Sequence, residues 1–167
     1  MKKHLFLFLL TLITALFQNT GGLLPSVFGA VFWPLVPVTV AVGMREGELT
    51  GLVYGMIGGA FWDVTVSGAD GIHALCLAVT GFAAGWLVRF LLRDTMLSFY
   101  AVTAGAASLI AAVDWCVFTL IPVGDLGARL LVRRYIPSAL ITVAFAFICR
   151  IVVNFARFRE DSYERQL

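Results

Sequence analysis

Between two long apolar stretches the chain carries Asp63-Val-Thr-Val-Ser67-Gly68-Ala-Asp70-Gly71-Ile-His73-Ala-Leu75, a polar island with two acids and a histidine. Asp63, Ser67 and His73 are the residue types of a nucleophile, its base and the group that orients the base. A hydrolase of that kind presents its serine on an elbow such as G-x-S-x-G beside an oxyanion hole, and the island has neither. No catalytic residue is assigned, and the chain is not expected to be an enzyme. HExxH, P-loop and GxGxxG patterns are absent too, which leaves zinc, nucleotide and dinucleotide chemistry without a motif; no metal or other cofactor is expected. Cys76, Cys116 and Cys149 form no CxxC pair and no metal-ligand spacing, and read as buried thiols. No basic stretch is interleaved with aromatics, so nucleic acid is not an expected partner.

The elements that must position the island are set by composition. With 60% hydrophobic residues, 13% charged and a mean hydropathy of +0.95, the chain has too little polar surface to cover a soluble domain. It reads as a polytopic, all-α membrane protein. A span takes about 20 apolar residues, so 167 residues hold about six helices and no separate soluble domain. Apolar runs bounded by turn residues predict helices near 5–20, 23–43, 50–66, 72–92, 98–121 and 135–156, one integral membrane domain over residues 1–167. Met1-Lys2-Lys3-His4 before Leu5 also fits a signal peptide, but no small-x-small cleavage site follows, and a signal-anchor helix is expected. Pro34 and Pro37 are expected to kink the second helix.

Basic residues near span ends stay on the cytoplasmic side. With both termini cytoplasmic, Lys2, Lys3, Arg45, Arg89, Arg93, Arg150, Arg157, Arg159 and Arg165 fall on that side and Arg129, Arg133 and Arg134 on the other, nine against three. That asymmetry favours six spans. Residues 124–134 alternate Leu126, Leu130 and Leu131 with arginines, as a short amphipathic piece at the outer interface would. Trp33, Trp62, Trp86 and Trp115 read as interfacial belt anchors.

Helical spacing then gives the island its context. Gly51, Gly55 and Gly59 recur every four residues on one face of the third helix, with Asp63 on the same row; His73, Leu77, Gly81 and Gly85 do the same on the fourth. Such faces let backbones approach closely in lipid, either within the bundle, the simpler expectation, or against a partner helix. Ser138, Thr142 and Ala146 form a similar row that continues into Arg150. Asp63 is expected to accept hydrogen bonds from the turn at residues 67–71. Asp114, about two turns inside the fifth helix, must face the interior, pair or stay protonated, with Arg129, Arg133 and His73 as candidate partners.

Residues 51–85, with Asp63, Ser67-Gly68, Gly71 and Ala74-Leu75 at this spacing, and the later Ser108-Leu-Ile-Ala-Ala-Val-Asp114, resemble the bacterial rod shape-determining MreD family. Chain length, the six-helix plan and Pro34 are similar as well, so the resemblance covers almost the whole chain; Asp70 departs from the family's usual apolar or small residue. The resemblance implies a multi-pass scaffold of the bacterial inner membrane that binds the bitopic protein MreC and helps couple the MreB filament to a peptidoglycan transpeptidase and glycosyltransferase. Gly51, Gly55, Gly59, Asp63, Gly71, His73, Gly81, Gly85 and Asp114 are the residues expected to matter, through packing and polar organisation. The alternative is a small-molecule binding subunit of an energy-coupling vitamin transporter, a family with a similar six-helix fold, using Asp63, His73 and Asp114 to line a pocket. An intramembrane hydrolase is a remote third.

Overall fold

The computed structural model describes residues 2–20, 30–65, 71–120 and 130–164. Ser67, Gly68, Asp70, Arg129 and most of the proposed amphipathic piece lie outside the described residues. Every element among them is helical: α1 (Lys2–Asn19), α2 (Leu35–Glu46), α3 (Glu48–Asp63), α4 (Ile72–Phe90), α5 (Met96–Trp115) and α6 (Ile136–Glu164). A π-helical stretch, Cys116–Leu120, extends α5, and another, Leu131–Tyr135, leads into α6. Three helical stretches are long and apolar enough to cross a membrane: Ile72–Phe90, Met96–Thr119 and Leu131–Val153. Lys3–Asn19 is apolar but shorter, and α2 and α3 have 12 and 16 residues.

Helix α2 is the hub, packing against all five other helices. Leu35 through Met44 are all buried, so this short helix has no outward face. The expected helix over residues 23–43 is corrected in part: residues 30–33 are non-helical backbone and α2 begins at Leu35, while residues 23–29 lie outside the described residues. The prolines explain the break. Pro34 occupies the N-cap and Pro37 the first turn, where the missing N–H groups have no intrahelical partner to lose, so they start α2 instead of kinking it. Its twelve helical residues rise about 18 Å, short of the about 30 Å of an apolar bilayer core.

Non-helical backbone inside an apolar bundle must find other partners for its N–H groups. Val31 N–H donates to Ser138 Oγ at 2.9 Å, Trp33 N–H to Thr142 Oγ1 at 3.1 Å and Leu35 N–H to Gln18 Oε1 at 3.2 Å. The Ser138–Thr142–Ala146 row of α6 therefore faces inward and holds the broken segment. All three residues are at most 1% exposed.

Helices α2 and α3 are joined through Gly47 alone, whose φ of +92° is open to glycine at little cost. Beyond that turn, α2, α3 and α4 meet backbone to backbone at Gly43, Gly51 and Gly81, where an added Cβ on any one would fall on another's main chain. The same holds at Gly55 against the Leu77 carbonyl, at Gly59 against His73 and Ala74, and at Gly85 against Glu48. The glycine rows of α3 and α4 thus face each other. At the far end Lys3 pairs with Glu46 and Arg89 with Glu48, while Asp94 takes Arg45 Nε at 2.6 Å and Arg150 Nη2 at 2.7 Å. Arg150 is 4% exposed, donates to the Thr95 carbonyl at 3.1 Å and lies 4.9 Å over the Phe99 ring, which ties α6 to the α4–α5 turn.

Candidate functional site

Asp63 ends α3 and His73 opens α4, so the helices that the glycines press together deliver these two side chains to one point. The N-cap of α4 is Gly71, whose φ of +88° is left-handed and whose lack of a side chain leaves the first N–H groups uncapped from within. Asp63 supplies the cap from the preceding helix. Its Oδ1 accepts the His73 N–H at 3.1 Å and its Oδ2 the Ala74 N–H at 2.9 Å, a carboxylate at the positive end of a helix. These acceptances fall just past the turn at which they are expected from sequence.

The same Asp63 Oδ1 lies 2.6 Å from His73 Nδ1. On the other side of the ring, Nε2 lies 3.0 Å from Asp114 Oδ1, so His73 is a partner of Asp114; Arg129, another candidate, lies outside the described residues. The second contact is a close polar approach, for among the described residues no hydrogen bond to the buried Asp114 Oδ1 is aligned. The ring is also stacked against two aromatics: Trp62 at 4.3 Å between centroids and Phe118 at 5.8 Å, the latter within 1° of parallel. His73 is 2% exposed. An imidazole with a carboxylate at each nitrogen has no free nitrogen with which to act as a base. Among the described residues no three His, Cys, Asp or Glu side chains are grouped to hold a metal ion.

A cavity of about 370 Å³ opens beside the triad. Asp114 and His73 form its polar floor, Trp33, Trp62, Phe118 and Tyr135 its aromatic wall, and Gln18 and Arg134 also line it. Tyr135 OH and Thr119 Oγ1, 2.8 Å apart, bridge the two π-helical stretches across one side. Gln18 Oε1 is taken by Leu35 N–H, while its Nε2 is buried with no partner among the described residues.

Of the residues singled out from sequence, the structure brings Asp63, His73 and Asp114 into contact and places Gly51, Gly55, Gly59, Gly81 and Gly85 in the α3–α4 interface that delivers them; Gly71 is the N-cap. Two belt assignments are corrected. Trp33 and Trp62 are each 7% exposed and packed 6.1 Å apart, walling the cavity, while Trp86 is exposed. The thiols differ as well: Cys149 is buried, Cys76 half-buried and Cys116 exposed. Gln18, Phe118 and Tyr135 gave no sequence signal. Ser138 and Thr142 did, as the polar members of an apolar row, although the sequence did not indicate the donors they meet.

Comparison with family models, with curated proteins and with solved structures finds no match.

Proposed function

We propose that this chain is a six-span, non-enzymatic scaffold of the bacterial inner membrane, of the MreD kind, binding MreC and helping to couple MreB to a peptidoglycan transpeptidase and glycosyltransferase. One observation carries the proposal. The two stretches on which the resemblance rests, residues 51–85 and the helix ending at Asp114, join in space through His73, and the polar groups of that union are engaged with each other. A frame of this kind holds helices in register for a partner.

Two further features support the topology. The described segments alternate in direction, and Lys3, Arg45, Arg89, Arg93 and Arg150 gather at the end opposite Asp63, as cytoplasmic cations do. Leu5, Phe6, Leu9, Ile13, Leu16 and Phe17 on α1, with Leu140, Phe145, Ile148 and Ile151 on α6, are exposed large apolar side chains of a kind that lipid or a partner helix covers. Both termini then lie in the cytoplasm.

The test is co-expression with MreC and affinity purification of the full chain. MreC retained at fixed stoichiometry supports the scaffold; MreC lost under conditions that keep the chain monodisperse overturns it. Gly105→Leu refines the result, because a Cβ at Gly105 meets nothing within 4 Å and the fold tolerates it. The cavity favours a second reading, the binding subunit of an energy-coupling vitamin transporter. It predicts thermal stabilisation by one member of a vitamin panel, and no shift at saturation counts against it.

A further inference from the structure

The backbone departs from regular helix at three places around one cavity: residues 30–33, Cys116–Leu120 and Leu131–Tyr135. In so apolar a bundle such departures are tolerated where protein or an internal cavity satisfies the freed groups, and π-helical turns recur at functional sites. Among the described residues that line the cavity Asp114 is the one carboxylate; its Oδ1 is buried 3.0 Å from His73 Nε2, while Asp63 is engaged with His73 and Ala74 and is not part of the lining. Arg134 lines the cavity too, but its side chain is exposed and its guanidinium lies 6.0 Å over the Tyr135 ring.

A buried anion walled by aromatic rings is an environment that attracts an organic cation, which the carboxylate neutralises and the ring faces solvate. A volume of about 370 Å³ sits near the lower end of small-molecule pockets, which limits the ligand to one small group. We propose that this cavity binds a ligand bearing an ammonium group, seated against Asp114 and enclosed by Trp33, Trp62, Phe118 and Tyr135. A free amine and the ammonium headgroup of a zwitterionic lipid share that chemistry. The proposal goes beyond the scaffold function and stands independently of it.

The test uses the full chain in maltoside micelles, titrated with 2-phenylethylamine and with its neutral isostere 2-phenylethanol while thermal unfolding is followed. The amine is expected to raise Tm saturably and the alcohol to leave it unchanged. Asp114→Asn abolishes the preference. Since that change also removes a partner of His73, Phe118→Leu provides a second arm: it keeps every charge, removes one wall and weakens the amine about fivefold. Equal shifts from amine and alcohol, no shift from either, or an unchanged affinity in Phe118→Leu would each overturn the assignment. Repeating the titration in nanodiscs separates the sources. Loss of the amine effect in phosphatidylethanolamine but not in phosphatidylglycerol identifies a lipid headgroup; the same effect in both identifies a free amine. MreC retention, measured on the same preparations, fails or survives separately.

Discussion

Asp63 grips His73 at two points, accepting its backbone N–H at 3.1 Å and lying 2.6 Å from its ring Nδ1 with the same oxygen. One side chain therefore serves as both helix cap and ion partner. Asp63→Ala removes both functions, leaving α4's first turn uncapped and one side of a buried imidazole unpaired; the expected loss is about 3–5 kcal/mol of stability. Asp63→Asn keeps an oxygen acceptor for one N–H and should lose distinctly less. Thermal unfolding of the purified variants in detergent checks the order; equal losses would show that the charge, not the cap, carries the effect.

The glycine rows make a prediction about space. A leucine at Gly55 must enter the Leu77 backbone and one at Gly81 the Gly51 backbone, where no side-chain rotamer gives relief. Each is expected to cost upwards of about 3 kcal/mol, the upper end for overpacking, and to lower the yield of monodisperse protein. Gly105→Leu on α5 is the control, expected within about 0.5 kcal/mol of the parent. Size-exclusion profiles and unfolding midpoints of the three variants decide it.

That α3 and α4 would pack through these faces was legible because glycines four residues apart on a helix have one geometric meaning, close approach. The partnering of Asp114 was legible for an energetic reason: an ionisable group inside a span needs a counter-charge, and His73 was one of few within reach. The break before α2 was not legible, because hydropathy over residues 23–43 sums side chains and is blind to whether the backbone is coiled. Trp33 and Trp62 misled for a related reason. A tryptophan near the end of a span has the same sequence context whether it turns to the headgroups or to a cavity, and only the packing of the neighbouring helices decides.

At the opposite end, Arg150 and Asp94 are unequal members of one cluster. Asp94 is shared by Arg45 and Arg150, so Asp94→Ala leaves the buried Arg150 without its counter-ion, at a cost of about 3–5 kcal/mol. Arg150→Met leaves Asp94 still paired to Arg45 and retains apolar contact with Phe99, and is expected to cost less than half as much. Combining Arg150→Met with Asp94→Ala should recover part of the Asp94→Ala loss. A double-mutant cycle on unfolding midpoints measures the coupling, and strict additivity would show that the pair does not interact.

The hydroxyls inside the bundle give the sharpest contrast, because chemically identical groups stand in opposite states. Thr142 Oγ1 accepts the Trp33 N–H while itself donating to the Ser138 carbonyl, so Thr142→Val strands a buried main-chain donor in an apolar interior. The expected cost is about 1–3 kcal/mol, the desolvation penalty of an unpaired group. Thr103 is equally buried, at 0% exposure, yet its Oγ1 has no partner among the described residues. Thr103→Val replaces an unpaired hydroxyl with a methyl of the same shape, which should be neutral or stabilising. Should both substitutions destabilise alike, residues 30–33 would not depend on α6 for their hydrogen bonds. If only Thr142→Val destabilises, those bonds are what allows a non-helical segment to run through the core beside the cavity, and ligand affinity there should fall with it.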